Sequence, residues 1–212
     1  QKGYGQVEIY APEGVTVTAL EVKDIMMYSA DVSKLPSLRE LNLIGTGLNF
    51  IDLDWNRCLT SLNLSNNNLT YVSLESKYAG YAKNVLKDIN LSNNKLTEVV
   101  LNELTVIRNL DLSYNQLHEF INFSNGEGIL NINLSNNQFE TLDFSYCTTL
   151  KSLDVSHNML TSIILPQGVC VLEYFACNDN RFTMANLPLH GGLSDENYIY
   201  APQADYEIAT KG

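Results

Sequence analysis

Apolar and polar residues along this chain follow one recurring phrase, apolar-x-x-apolar-x-apolar-x-x-Asn-x-apolar. It appears without gaps at residues 59–69 (LTSLNLSNNNL), 86–96 (LKDINLSNNKL), 107–117 (IRNLDLSYNQL), 129–139 (ILNINLSNNQF), 150–160 (LKSLDVSHNML) and 172–182 (LEYFACNDNRF). Residues 38–48 (LRELNLIGTGL) fit with Thr46 in place of the Asn, and Val17, Leu20, Val22, Ile25 and Met27 form a weaker copy 21 residues earlier. The template Asn falls at 67, 94, 115, 137, 158 and 180, in steps of 27, 21, 22, 21 and 22. A fixed period of this length is the signature of a repeat architecture. About eight units therefore run from residue 17 to residue 185.

Apolar residues two apart, such as Leu62 and Leu64, put both side chains on one face of a strand. The next apolar residue comes five later, after a turn, so the chain doubles back round a shared interior. One unit cannot bury its own leucines; parallel stacking of neighbours makes the core. At the turn, an Asn amide donates to carbonyls and accepts from N–H groups whose burial unpaired would cost about 1–3 kcal/mol each. Asn67, Asn94, Asn115, Asn137, Asn158 and Asn180 are thus predicted to form a structural ladder, with Asn115→Leu disruptive. The returning half keeps apolar residues three then two apart, as in Leu69, Val72 and Leu74 or Leu160, Ile163 and Leu165. Units this short leave little room for a helix, so strand content should far exceed helix content.

This phrase resembles the leucine-rich repeat, in the short form of secreted and surface-attached bacterial proteins where LTSLDLS-like and NTALT-like stretches alternate. The corresponding stretches here include NRCL at 56–59, CTTL at 147–150 and FETLDFS at 139–145. Internalin-type proteins are more distant relatives with longer convex segments. The resemblance covers about four-fifths of the chain. It implies a leucine-rich repeat right-handed solenoid, with a parallel β-sheet on the concave face. Short extended or 3-10 segments would form the convex face, with little α-helix. It also implies an extracellular or bacterial cell-surface location, although no signal sequence is part of this chain.

Departures from the pattern mark special places. Six extra residues between Asn67 and Asn94 fall within residues 75–84 (ESKYAGYAKN), where Tyr78 and Tyr81 flank Gly80 and Tyr71 lies just upstream. A Tyr-bearing loop is either a contact patch or a tolerated insertion on the convex surface. Residues 1–16 hold a possible capping strand, QVEIY at 6–10. After Phe182 the leucine rhythm stops, so residues 186–212 are expected to be a C-terminal cap or linker. Its YIYAPQ stretch is similar to the segment just past the last repeat of the bacterial proteins.

Beside the strand leucines run three columns expected to face solvent. The central one reads Glu21, Asn42, Asn63, Asn90, Asp111, Asn133, Asp154, Ala176. The next carries Ser65, Ser92, Ser113, Ser135 and Ser156, and the preceding one Ser61, Asp88, Asn109, Asn131, Ser152 and Tyr174. Parallel strands about 4.8 Å apart turn each column into a ladder of small polar groups. Such a face is either plain solvated surface or a groove for a polar partner such as a glycan or a basic peptide. The candidate anchors sit where the ladders break, at Tyr114, His157 and Tyr174, with Asp111, Asp154 and Asn133 supplying charge and hydrogen bonds.

Composition narrows the chemistry. The chain has 212 residues and a net charge of −11, which argues against nucleic acid or an anionic membrane as partner. No apolar run approaches the roughly 18–20 residues that span a bilayer, so membrane insertion is not expected. Asp111 and Asp154 stand two rungs apart, roughly 10 Å, too far to share one ion. The three histidines, at 118, 157 and 190, show no zinc-ligand spacing with cysteine. No GxSxG, P-loop or HExxH occurs, and Cys177 occupies a core apolar position, so neither metal, cofactor nor catalysis is expected. Cys147 and Cys170 lie about one unit apart, which leaves a disulfide between them open.

Three readings of function stand side by side. One is a monomeric, non-enzymatic extracellular recognition module that binds a protein or glycan through the solenoid surface. Another is a structural spacer or stalk of a larger bacterial surface protein. An enzyme is the third and is disfavoured.

Overall fold

The computed structural model describes residues 7–8, 12–74, 85–101, 106–119, 128–166, 172–188 and 193–204. Tyr78, Tyr81 and Cys170 lie outside these residues. Among the described residues there is no helix, and the sixteen strands are short and pair only in parallel.

Nine strands build one continuous sheet. In spatial order they are β2 (Ala19–Lys23), β4 (Glu40–Ile44), β6 (Ser61–Asn63), β8 (Asp88–Asn90), β10 (Asn109–Asp111), β11 (Asn131–Asn133), β13 (Ser152–Asp154), β15 (Tyr174–Ala176) and β16 (Tyr198–Ile199). The register is the one that the template dictates. Leu20, Leu41, Leu62, Ile89, Leu110, Ile132, Leu153 and Phe175 stand side by side across the sheet. All but Leu20, in the edge strand, are buried. The eight template units give about seven turns, and the apolar residues of both halves merge into one core cluster running the length of the coil.

The returning halves form smaller sheets on the opposite side. There β1 (Val7–Glu8), β3 (Ser29–Asp31) and β5 (Phe50–Ile51) pair, as do β7 (Tyr71–Ser73) with β9 (Glu98–Val100) and β12 (Thr141–Asp143) with β14 (Ser162–Ile164). The convex segments are therefore short strands; no 3-10 turn occurs among the described residues.

Each coil bends where the strand of the long sheet ends, and the bend is held by the template Asn. Asn115 Nδ2 donates to Leu91 O of the previous unit (3.1 Å) and Leu112 O of its own (3.0 Å). Its Oδ1 accepts from Leu96 N of the previous unit (3.0 Å). Asn94, Asn137, Asn158 and Asn180 repeat this set. Asn67 does the same upstream, and its Oδ1 also takes the hydroxyl of Thr46 (3.0 Å), which fills the gap left by the missing Asn. All six Asn side chains are buried, so every bond replaces one that water cannot supply.

The residue just before the template Asn has a positive φ in every one of these turns: Asn66, Asn93, Tyr114, Asn136, His157 and Asp179, at +52° to +59°. Gly45 (+64°) and Asp24 (+56°) continue the column upstream. This left-handed step reverses the chain, and Asn, Asp and Gly are the residues that make it at least cost.

Beyond the leucine rhythm, β16 adds a ninth rung, with Tyr198 stacked on Phe175 at 5.6 Å between ring centroids. Gln203 then takes the ladder position: its Nε2 donates to Cys177 O (3.0 Å) and its Oε1 accepts from Phe182 N (3.4 Å). These are the bonds an Asn makes one turn earlier, reached from a step of 23 residues by a side chain one methylene longer.

Candidate functional site

The long sheet presents a trough of about 310 Å³ running over β4, β6, β8, β10 and β11. Its floor is the central column, Asn42, Asn63, Asn90, Asp111 and Asn133, flanked by Asp88, Asn109 and Asn131. From Asn63 onward to Asp154, each central side chain is tied to its own turn. Asn90 Oδ1 accepts from Ser92 N (3.0 Å) and Oγ (2.7 Å); Asp111 does so from Ser113, Asn133 from Ser135 and Asp154 from Ser156. Asn63 accepts from Ser65 N.

These bonds settle two matters. The serine column was expected to face solvent and does not: Ser65, Ser92, Ser113, Ser135 and Ser156 are all buried at the bend, and the last four donate their hydroxyls to these bonds. In addition, an N–H of the turn can be met only by an oxygen, which fixes the orientation of each amide. Asn63, Asn90 and Asn133 therefore turn their NH₂ groups outward, while Asp111 and Asp154 present their second carboxylate oxygen. In the flanking column, Asn131 Nδ2 donates to Asn109 Oδ1 (2.6 Å) and Asn109 Nδ2 to Asp88 Oδ1, a chain of amides crossing three rungs.

The predicted anchors fall in two places rather than one. Tyr114 and His157 both occupy the left-handed column, two rungs apart with Asn136 between them, about 10 Å by strand spacing. Tyr114 is 55% exposed. His157 is exposed, with Nδ1 3.6 Å from Asp179 Oδ2 in the next turn. Tyr174 belongs to the flanking column beside Ser152 and is half-buried. Burial, and after it the nearby Asp154 carboxylate, raises the Tyr174 hydroxyl above its ordinary value. Asp154 and Tyr174 are thus neighbours, whereas Asp111 and Asn133 line the trough itself.

The remaining candidates are elsewhere. Tyr71 is exposed on β7, on the opposite side of the solenoid. Cys177 is buried, and burial pushes its thiol up to about 12 although the Tyr198 side chain bonds to it, so it offers no thiolate. Cys147 is buried as well. Among the described residues, no three His, Cys, Asp or Glu side chains converge as metal ligands. No helix among them is long and apolar enough to cross a membrane.

The strand pattern did not reveal the exposed aromatics in and beside the first convex strands, Tyr28, Phe50 and Trp55. A signal exists for part of this patch, because Phe50 and Tyr71 hold the same template position in successive units.

Comparison with known proteins agrees with the geometry. The leucine rich repeat family profile matches residues 56–76 and 146–163. No curated protein matches the sequence. Among solved structures, the functional domain of InlJ from Listeria monocytogenes, described as including a cysteine ladder, is 27% identical at a TM-score of 0.67, over 79% of this chain and 36% of its own. A leucine-rich repeat protein of Leptospira interrogans is 22% identical at 0.58, over 78% of this chain and 50% of its own. The leucine-rich repeat domain of APL1B is 21% identical at 0.58, over 91% and 69%. The chain thus spans about a third of the InlJ domain and half of the Leptospira protein. In this chain the four cysteines fall at four different template positions, and the ladders are made of Asn and Ser. The chain thus carries leucine-rich repeats and folds as a parallel β-solenoid like those structures, a fold that commonly serves protein interaction.

Proposed function

We propose that this chain is a non-enzymatic recognition module of the extracellular space or cell surface, and that it binds a protein or glycan along the long sheet. The observation that carries this reading is Tyr114. Its backbone is left-handed, a conformation that costs a bulky residue about 1–2 kcal/mol and that Asn, Asp or Gly fills in most other turns. Its side chain nonetheless stays more than half exposed, in the turn that follows the trough-lining Asp111. Exposed aromatics beside hydrogen-bonding groups are the anchors of recognition surfaces. Asp111, Asn133 and Asp154 add donors and acceptors held by their own serine turns, and Tyr174 and His157 add further polar groups. The acidic charge of the chain disfavours nucleic acid as the partner.

The test is a screen of the labelled protein against a glycan array and an extracellular-protein array, repeated with Tyr114→Asn and Tyr174→Ala. The reading expects a retained partner whose signal falls at least about tenfold in both variants. Binding untouched by either substitution overturns it, as does the absence of any partner.

A further inference from the structure

Beside the trough runs a column whose charge is opposite to that of the chain as a whole. The residue just before each strand of the long sheet is stitched to its counterpart in the next unit. Thr60 N donates to Arg39 O, Lys87 N to Thr60 O, Arg108 N to Lys87 O, Leu130 N to Arg108 O and Lys151 N to Leu130 O, all at 2.8–2.9 Å. The column borders the trough, because Lys87, Arg108 and Leu130 directly precede the lining residues Asp88, Asn109 and Asn131. It carries Arg39, Lys87, Arg108 and Lys151, all exposed, in a chain with 24 acidic and only 13 basic side chains. Its downstream end shows what such a cation does beside an anion: Lys151 Nζ lies 2.6 Å from Glu173 Oε1 on the next rung. Lys87 and Arg108 have no anion beside them in the column, where the rungs on either side hold Thr60 and Leu130. Neither forms an ion pair among the described residues. Two like charges on adjoining rungs, about 4.8 Å apart, repel each other.

We propose that the ligand of the long sheet is an acidic glycan, with carboxylate or sulfate groups on Lys87 and Arg108 and hydroxyls in the trough. The proposal rests on the long sheet being the recognition face. An anion set between the two cations relieves their repulsion, and the Arg108 guanidinium can meet it with two parallel N–H donors. Farther into the trough the demand changes. Asp111 turns its second carboxylate oxygen outward, between the NH₂ groups of Asn90 and Asn133 on the adjoining rungs. A hydroxyl both donates and accepts, so neighbouring hydroxyls of one sugar satisfy an acid and an amide together. A nucleic acid, charged at every step, would press phosphates against Asp88 and Asp111. The side chains of an acidic peptide would offer that floor acceptors only. The net charge of −11 acts on the approach of an acidic glycan more than on its contact. At 0.1 M salt, charges beyond about 10 Å are largely screened, whereas Lys87 and Arg108 touch the ligand.

The whole chain is titrated by calorimetry with hexasaccharides of hyaluronan, which carries carboxylate alone, and of chondroitin sulfate, which adds sulfate. Neutral chitohexaose, a Glu-Gly repeat peptide and a thymidine oligonucleotide are the comparisons. At least one acidic hexasaccharide should bind saturably, and at least about tenfold tighter than chitohexaose. A Lys87→Gln/Arg108→Gln double variant should lose at least about tenfold of that affinity, while Lys95→Gln, an exposed cation past the bend, keeps it. The ligand comparison on the unaltered protein decides the matter even where the double variant fails to fold. Equal affinity for chitohexaose, the peptide or the oligonucleotide overturns the proposal. So does the absence of binding by both acidic glycans, or full affinity in a folded double variant. A partner whose binding depends on Tyr114 but not on Lys87 and Arg108 overturns the acidic glycan alone and keeps the long sheet as the recognition face.

Discussion

The template asparagine and the residue just before it share every bend of the solenoid, yet they answer to different constraints. Asn67, Asn94, Asn115, Asn137, Asn158 and Asn180 are buried and carry the same bonds between successive units. Their neighbours, from Asn66 to Asp179, share only a backbone conformation, and their side chains vary from amide to phenol to imidazole. Where hydrogen bonds to backbone dictate the side chain, Asn fills six successive turns, with Thr46 at the upstream end and the longer-armed Gln203 at the downstream end as exceptions. Where only φ is dictated, the position can be given over to recognition at a modest cost in strain.

Substitutions can break this contrast. Asn115→Leu should be the most damaging, by about 3–5 kcal/mol, because it strands the buried Leu96 N–H and the carbonyls of Leu91 and Leu112. Urea unfolding measures it; a loss under about 1 kcal/mol would show that the ladder does not hold the bends. Gly45→Ala comes next. It adds a Cβ at a φ of +64° and 2.6 Å from Asp24 Oδ1, a side chain able to swing aside, so about 1–2 kcal/mol is expected. Tyr114→Asn should have the smallest effect and the opposite sign. Restoring the residue found at Asn93 and Asn136 should stabilise the fold by about 0.5–1 kcal/mol, seen as a raised midpoint in the same assay, while recognition is lost. A destabilised Tyr114→Asn protein would mean that the ring has a structural task.

Much of the architecture was legible in the sequence because a repeat states its fold many times over. The alignment of Leu20, Leu41 and Leu62 is the sheet register, and the spacing of the Asn residues is the spacing of the bends. The site was legible only in part. Tyr114 and His157 stood out as breaks in a ladder, but both lie past the strand end, where the chain has left the plane that holds Tyr174. The alternation of a strand cannot locate them relative to one another. The serines misled for a related reason: their exposure is decided by a bend that closes back over them, not by the strand they extend. Phe50 and Trp55 were hidden because apolar residues in the returning half read as core until the structure shows which of them face out. Gln203 escaped notice because its step of 23 and its extra methylene compensate for one another.

The pinning of each central amide by its own serine turn has a thermodynamic consequence for whatever lies in the trough. A ligand ordinarily has to freeze the side chains it touches, at about 0.5–1.5 kcal/mol for each rotamer-rich group. Here Asn90, Asp111, Asn133 and Asp154 are immobilised before any encounter, with their outward polarity already chosen. The surface is preorganised, so its selectivity rests on matching a rigid pattern of donors and acceptors rather than on moulding itself to the guest.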